Sequence, residues 1–172
     1  MLLKILGSIV IIAASGFLGY VFSRDCARRP QQLRELQGCL QILENEIGFM
    51  SSILTEAFAK IYENRSSEVS DFFRIAADKL NQGQVSASEA WREAVAENML
   101  KTGLTREDEG ILLAFGKLLG NSDQEGQIRN IRLTVSQLKL QEQKAEEMRK
   151  KNEAMYRNLG VLGGIAIVIV LL

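Results

Sequence analysis

Hydrophobic residues recur at alternating steps of three and four along the segment that follows Pro30. This spacing is typical of a helix that buries a narrow apolar face against neighbouring helices. The residues of this seam are Leu33, Leu36, Leu40, Leu43, Ile47, Met50, Leu54, Ala57 and Ile61. Pro30 is well placed as the first residue of the helix, because its fixed φ suits that position. The pattern is compatible with one helix over residues 31–62 or with a break near Ser51-Ser52, where a serine would cap a second helix.

The next segment has the same periodicity and predicts a helix that ends at Gly83. Its apolar stripe consists of Val69, Phe72, Phe73, Ala76 and Leu80. Three pairs with the spacing of an N-terminal capping box follow: Ser86 with Glu89, Thr105 with Asp108, and Ser122 with Glu125. Gly103 and Gly120 are expected to end the helices that precede the second and third boxes.

Each capping box opens a new apolar stripe, so three further helices are predicted. Their stripes are Ala90, Trp91, Ala94 and Val95; then Ile111, Leu112, Phe115, Leu118 and Leu119; then Ile128, Ile131, Val135 and Leu138. No alternation of apolar and polar positions predicts a β-strand. The middle of the chain, residues 24–158, is therefore predicted to be all-α, an antiparallel bundle of five helices or, with the break near Ser51-Ser52, a six-helix antiparallel bundle.

Both ends of the chain have a different pattern, since charged residues are missing from them. Residues 5–22 carry no charge, and 18 helical residues span about 27 Å, close to the ~30 Å thickness of the hydrocarbon core of a bilayer. This predicts a transmembrane helix within residues 1–23. A cleaved signal peptide with a small-residue site at Ala14-Ser15-Gly16 is the alternative, but the apolar run continues beyond that site and favours a retained anchor.

The C-terminal residues 159–172 are also free of charge. They are short for a membrane span and by length alone would also suit a buried core helix. With residues 155–158 included, where Tyr156 suits the interface and Arg157 can extend towards water, we predict a second transmembrane helix. Small residues four positions apart are expected to pack these helices within the membrane. They are Ser15 and Gly19 in the first span and Gly160 and Gly164 in the second.

Basic residues lie at both ends of the middle segment, next to the two predicted spans. They are Arg24, Arg28, Arg29, Arg149, Lys150, Lys151 and Arg157, whereas the opposite side carries only Lys4 and the terminal amine. Because basic residues are retained on the cytoplasmic side of a membrane, residues 24–158 are predicted to be cytoplasmic. The expected organisation is a bundle flanked by N- and C-terminal transmembrane helices, 1–23 and 159–172, in the lipid bilayer.

Composition argues against catalysis and against nucleic-acid binding. The 172 residues include no histidine and two cysteines, and 21 basic residues balance 21 acidic ones. Catalysis by histidine and metal sites with histidine ligands are therefore excluded. The sequence also lacks the concentrated basic face that a nucleic acid would bind. Gly116-Lys117 lacks the remainder of a phosphate-binding loop. Cys26 and Cys39 lack further zinc ligands. No catalytic, cofactor or metal site is predicted, and Trp91 is expected in the core.

Five segments resemble, in their order and spacing, the stage III sporulation protein AB family of endospore-forming bacteria. They are LREL at 33–36, LENEIGF at 43–49, SEAW at 88–91, FGKLLGNSD at 115–123 and NEAMYRNLG at 152–160, together with Gln127 and Ile131. The family is in turn similar to the inner-membrane platform protein of type II secretion and type IV pilus machines, whose cytoplasmic domain is a six-helix bundle. The resemblance therefore favours the break near Ser51-Ser52 and a six-helix bundle here. The chain departs from platform proteins in having one such domain. It also carries Ile53 where the sporulation family tends to have proline.

The resemblance implies a scaffold of the channel complex between mother cell and forespore, anchored in the mother-cell membrane around the forespore. Its partners would be other membrane subunits and a secretion-type ATPase, which would perform the catalysis. Candidate docking residues are Gly120, Ser122, Asp123 and Gln127. The plainer interpretation of this turn is a glycine helix stop followed by a serine cap. The alternative function is a membrane-anchored helical sensor or adaptor, unrelated to secretion, that forms homo-oligomers through the seam from Leu33 to Ile61.

Overall fold

The computed structural model describes residues 27–48, 54–63, 67–83, 85–120 and 122–171, and all regular structure within them is helical. Helix α1 covers 27–48. The others are α2 (Leu54–Glu63), α3 (Ser70–Asn81), α4 (Ala87–Asn98), α5 (Arg106–Lys117) and α6 (Gln124–Leu171), with a short 3₁₀ helix, Met99–Lys101, after α4. The prediction of an all-α fold with six helices is confirmed. Residues 49–53 lie outside the described ranges, and with them the predicted break near Ser51-Ser52 and Met50.

Residues 29–143 form one compact unit, the helical bundle, and the other described residues belong to a second unit. Within the bundle, α1 and α6 are antiparallel. Near the start of α1, Arg34 donates to Glu142 over 2.9 Å, and further along, Glu44 accepts from Arg132 over 2.7 Å. Sequence numbers thus rise along α1 as they fall along α6, as predicted for an antiparallel bundle.

The core of the bundle contains an aromatic cluster around Trp91, which is fully buried. Its ring centroid lies 5.1 Å from that of Phe73 and 5.2 Å from that of Phe115, both with edge-on geometry. The indole N–H donates to the carbonyl of Leu112 over 2.8 Å, which satisfies its one polar atom. The prediction that Trp91 is a core residue is confirmed. Gly116, one turn along α5 from that carbonyl, faces the indole ring, and an added Cβ there would lie 2.4 Å from Trp91 Cδ1.

The leucine seam is buried within this one chain. Leu33, Leu36, Leu40, Leu43, Ala57 and Ile61 are 0% exposed and Ile47 is 9% exposed. The helices α3 to α6 provide the partners that an isolated α1 and α2 would lack. These side chains already fill the core of the bundle, so they leave little apolar surface for the self-association that the alternative function requires.

Two further details of the predicted helices are corrected. Residues 27–29 are already helical, so Pro30 is not the first residue of its helix. A proline removes only its own N–H and crowds the preceding turn, which leaves the residues after it free to continue a helix. Leu118 was assigned to the buried stripe of α5 but is 48% exposed. The helix ends at Lys117, and beyond that point the helical period no longer decides which side chains face the core.

The first two of the three predicted capping boxes are confirmed. Ser86 accepts from the Glu89 N–H over 3.2 Å, and the Glu89 carboxylate accepts from the Ser86 N–H over 3.1 Å, which completes a reciprocal box. At the start of α5, the Asp108 carboxylate accepts from both the N–H and the hydroxyl of Thr105, over 2.8 and 2.9 Å.

Only part of the two predicted membrane segments lies within the described residues. Residues 1–26, and with them Ser15 and Gly19, lie outside the described ranges. The backbone of α6 is helical through Gly160 and Gly164, and the contacts of these two glycines lie outside the described part of the structure. Across the portion of the chain that is described, no helix combines the length and the apolar character needed to cross a membrane.

Candidate docking surface at the distal end of the bundle

The bundle has two ends that hydrogen bonds define. At the basal end, where the bundle begins, Arg29 contacts Asp108 at the start of α5 and Gln141 on α6. At the distal end, the Gln124 side chain donates to the carbonyl of Ile47 over 2.7 Å. Ile47 lies 18 positions after Arg29 in α1, which separates the two ends by about 27 Å of helix.

The candidate docking residues lie at the distal end, in the corner between α5 and α6. Gly120 is exposed and has a φ of +75°, a conformation that side chains with a Cβ rarely adopt. An added Cβ would also lie 3.1 Å from the Cβ of Ala87, at the start of α4. Gly120 therefore shapes the corner, and its backbone is what a partner would meet.

The third capping box is wrong by one residue. Helix α6 begins at Gln124, so its cap is Asp123, whose Oδ1 accepts from the Gly126 N–H over 2.9 Å and whose carbonyl accepts from the Gln127 N–H over 2.9 Å. A carboxylate at this position also interacts favourably with the positive end of the helix dipole. Ser122 instead makes a long contact of 3.4 Å to the carbonyl of Leu118.

Gln127 does not share this surface. Its side chain is 8% exposed, and its Oε1 is among the few buried side-chain oxygens of the described residues that have no hydrogen-bond partner. The structure thus brings Gly120, Ser122 and Asp123 together on the exposed corner and places Gln127 inside the bundle. Within the described ranges, no group of three or more histidine, cysteine or acidic side chains is placed to hold a metal ion.

The basal end contains a buried ion pair that the sequence analysis did not predict. Asp108 is 0% exposed and accepts two hydrogen bonds from Arg29, over 2.8 and 3.0 Å. Burial raises the pKa of the Asp108 carboxyl, but the hydrogen bonds from Arg29 and Thr105 outweigh burial, and the pKa lies below its ordinary value. The signal was present in the pattern, since Asp108, Leu112 and Phe115 are spaced as one face of a helix.

A second set of polar contacts at the basal end ties the α4–α5 corner, residues 99–106, to the rest of the bundle. The Gly103 N–H donates to Gln32 Oε1 over 2.7 Å, and Gln32 Nε2 donates to the Glu68 carboxylate over 2.6 Å. Asn98 Nδ2 donates to the carbonyl of Glu68 over 2.6 Å. These bonds hold the corner next to the first turns of α1.

Comparison with known proteins identifies the family. The model of the family "Stage III sporulation protein AB" matches residues 4–172. Stage III sporulation protein AB of Bacillus subtilis (strain 168) is 32% identical over 171 residues, which cover 99% of this chain and 100% of that protein. A solved structure of stage III sporulation protein AB superposes with a TM-score of 0.68 at 31% identity, over 72% of this chain and 98% of the solved one. The chain therefore belongs to the stage III sporulation protein AB family.

Proposed function

We propose that this protein is a non-enzymatic scaffold of the channel complex between mother cell and forespore, and that it docks a secretion-type ATPase. Membership of a sporulation family and the six-helix bundle that the resemblance to platform proteins implied support this role. In the proposal, residues 1–23 and 159–172 anchor the chain in the mother-cell membrane around the forespore. The bundle lies in the cytoplasm, where it meets the ATPase and other membrane subunits.

The observation that carries the docking proposal is the position of the exposed α5–α6 corner. It lies at the distal end, about 27 Å of helix from Arg29, and Arg29 follows closely after the apolar run that ends at residue 22. The distal end is therefore the end of the bundle that lies farther along α1 from the residue that follows the predicted anchor. In the proposal, a cytosolic partner docks at this end.

The chemistry of the corner indicates what kind of surface it would bind. Asp123 and Glu125 are both exposed at the positive end of α6, and Gly120 leaves the backbone of the corner uncovered. A partner surface with arginine or lysine side chains would complement these carboxylates, and charge-assisted hydrogen bonds are the stronger kind. We therefore expect a basic patch on the ATPase to contact this corner.

The test is co-purification of the ATPase with the full-length chain from membranes. The variant Asp123→Asn removes the charge but keeps the helix cap, because asparagine caps as well as aspartate. Ser122→Arg adds bulk and positive charge at the corner. Ser136→Arg, at another exposed position on α6, is the matched control.

Loss of one charge-assisted contact is expected to weaken capture by about ten- to a hundredfold, from a contribution of roughly 1.5–3 kcal/mol. Asp123→Asn and Ser122→Arg should therefore recover much less ATPase than Ser136→Arg, with unchanged helicity by circular dichroism. Recovery of equal amounts of ATPase by all three variants would place docking elsewhere on the bundle.

A further inference from the structure

We propose that the outer side of α6 binds an acidic amphipathic helix of another protein, through two exposed leucines and the basic residues beside them. This surface, which we call the outer strip, is the exposed side of α6 between residues 126 and 143, and Leu133 and Leu140 lie on it. The inference goes beyond the proposed function because it assigns a second interface with its own class of partner. It depends neither on membrane anchoring nor on docking at the α5–α6 corner.

Within the bundle, α6 carries apolar residues on two opposite sides. Its inner side packs into the core with Ile131 and Leu138, both 0% exposed. Leu133 and Leu140 follow each of these by two residues, which is about 200° around a helix, and they are 57% and 58% exposed. Single surface leucines are common and require no explanation, but these two repeat the interval of the buried pair. The outer strip thus has the apolar spacing of a side that packs against a helix.

This spacing indicates the shape of the partner. Leu133 and Leu140 are seven residues apart, which is about 10.5 Å along the axis of α6. A helix packed alongside repeats its side chains at nearly the same interval, so its apolar residues can reach both leucines. Side chains on one face of a β-strand repeat about every 7 Å and do not match. A helical partner therefore fits the outer strip better than an extended one.

The charges on the outer strip indicate the chemistry of the partner. Every charged residue at an exposed position of the strip is basic, and these residues are Arg129, Arg132 and Lys139. The one acidic residue of α6 between 126 and 143 is Glu142, whose side chain is 18% exposed. Lys139 interacts with the charge of Glu142, so one basic residue is offset in part and the strip remains basic.

Helix α1 flanks the outer strip and does not cancel its charge. Its Arg34 pairs with Glu142 over 2.7 Å, and its Glu44 pairs with Arg132 over 2.7 Å, so α1 adds one basic and one acidic side chain. The two other acidic residues of α1 contact different parts of the bundle. Glu35 accepts from the hydroxyl of Ser67, before α3, and Glu46 accepts from Lys60 of α2.

Helix α5 lies on the other flank, where Asn130 of α6 donates to the carbonyl of Phe115 over 3.0 Å. Its Asp108 is buried and paired with Arg29. The other charged side chains of α5 are two basic and two acidic ones, Arg106, Glu107, Glu109 and Lys117. They balance, so the excess of basic charge on the outer strip remains.

This excess distinguishes between possible occupants. A second copy would bring one basic strip against another, and like charges in contact disfavour association. Acidic side chains on a partner helix would instead form charge-assisted hydrogen bonds with Arg129 and Lys139. The α5–α6 corner, with Asp123 and Glu125, has the opposite charge, so a partner surface that fits the corner does not fit the outer strip. Ser136→Arg, on the strip, therefore remains a control for the corner.

The experiment titrates the full-length chain, purified in a neutral detergent, with two fluorescent synthetic peptides. Both form amphipathic helices with leucine at alternating steps of three and four, and they carry either glutamate or lysine beside the leucines. Anisotropy measures binding, with detergent alone as the blank. One variant combines Leu133→Ser with Leu140→Ser, and another combines Arg129→Glu with Lys139→Glu. Leu118→Ser, an exposed leucine away from the strip, is the matched control.

We expect the glutamate peptide to bind wild type and Leu118→Ser equally, and more tightly than the lysine peptide does. The double serine variant should bind it at least about tenfold more weakly, because both apolar contacts are lost. The double glutamate variant should prefer the lysine peptide. Circular dichroism checks folding, and the single substitutions Leu133→Ser and Arg129→Glu replace any double variant that loses helicity.

Three results would overturn the proposal. They are failure of the glutamate peptide to bind, equal binding of the two peptides by wild type, and binding that the strip variants leave unchanged. A cysteine at position 140, with Cys26 and Cys39 replaced by serine and alanine, tests the remaining occupant. Efficient cross-linking of two copies through Leu140→Cys that the glutamate peptide does not reduce would assign the strip to a second copy and overturn the proposal too.

Discussion

Replacing Gly116 with alanine tests the packing of the aromatic core. The new Cβ would lie 2.4 Å from Trp91 Cδ1 and 3.1 Å from Cγ. Carbon atoms attract at about 3.5–4.0 Å, so the indole ring would have to retreat by more than 1 Å. The ring is enclosed by other aromatic side chains and cannot retreat freely. The substitution is therefore expected to strain the core of the bundle.

The expected change in the free energy of unfolding of Gly116→Ala is the sum of three contributions. Overpacking of a dense core costs about 1–3 kcal/mol. Displacement of the indole N–H from the carbonyl of Leu112 costs a further 1 kcal/mol or so. Alanine recovers about 1 kcal/mol relative to glycine inside a helix. The free energy of unfolding of Gly116→Ala should thus fall by about 2 kcal/mol.

Gly110→Ala is the matched control in the same helix. No atom lies within 4 Å of a Cβ built at Gly110, so only the helix propensity changes and the free energy of unfolding should rise by about 1 kcal/mol. Urea unfolding of the purified chain, followed by the fluorescence of its single tryptophan and by circular dichroism, measures both variants. The packing argument fails if Gly116→Ala is as stable as Gly110→Ala.

Three further predictions concern polar residues. Asp108→Asn should lower the free energy of unfolding by about 3–5 kcal/mol at pH 7, because it leaves the Arg29 guanidinium without its charged partner. The folded-state pKa of Asp108 is lowered, so this stabilisation is present above the unfolded pKa and is lost as pH falls through the folded one. Urea curves should therefore show a smaller difference between wild type and variant in acid below the ordinary aspartate pKa, and a constant difference would contradict the ion pair. Asp123→Ala should lower the free energy of unfolding by about 1 kcal/mol, whereas Ser122→Ala should leave it almost unchanged. A larger loss for Ser122→Ala than for Asp123→Ala in thermal or urea unfolding would show that Ser122 is the cap. Gln127→Met should leave stability unchanged or raise it by up to about 1 kcal/mol, because it removes a buried oxygen without a partner, and a large loss of stability would reveal a hydrogen bond to that oxygen.

The local features of the fold follow from the sequence alone. The steps of three and four predict the helices, and the Ser86 box predicts where α4 begins, because its hydrogen bonds join residues three apart. Trp91 is predicted in the core because its neighbours along the helix are small and apolar. The order and spacing of five short segments are enough to suggest the family. None of these inferences requires knowing which helices are neighbours.

The tertiary structure decides which distant residues meet. Arg29 and Asp108 are 79 positions apart. From the sequence alone, Arg29 is explained as a basic residue next to a membrane span and Asp108 as part of a capping box. Only the folded bundle shows that the two side chains form an ion pair. The seam from Leu33 onwards has the same pattern whether it packs within the chain or against a second copy. Gln127 and Asp123 lie on one turn, and only the packing of α6 against the bundle buries the first and exposes the second. Local hydrogen bonds are encoded by neighbours in sequence, whereas burial and long-range ion pairs depend on how all the helices close around one core.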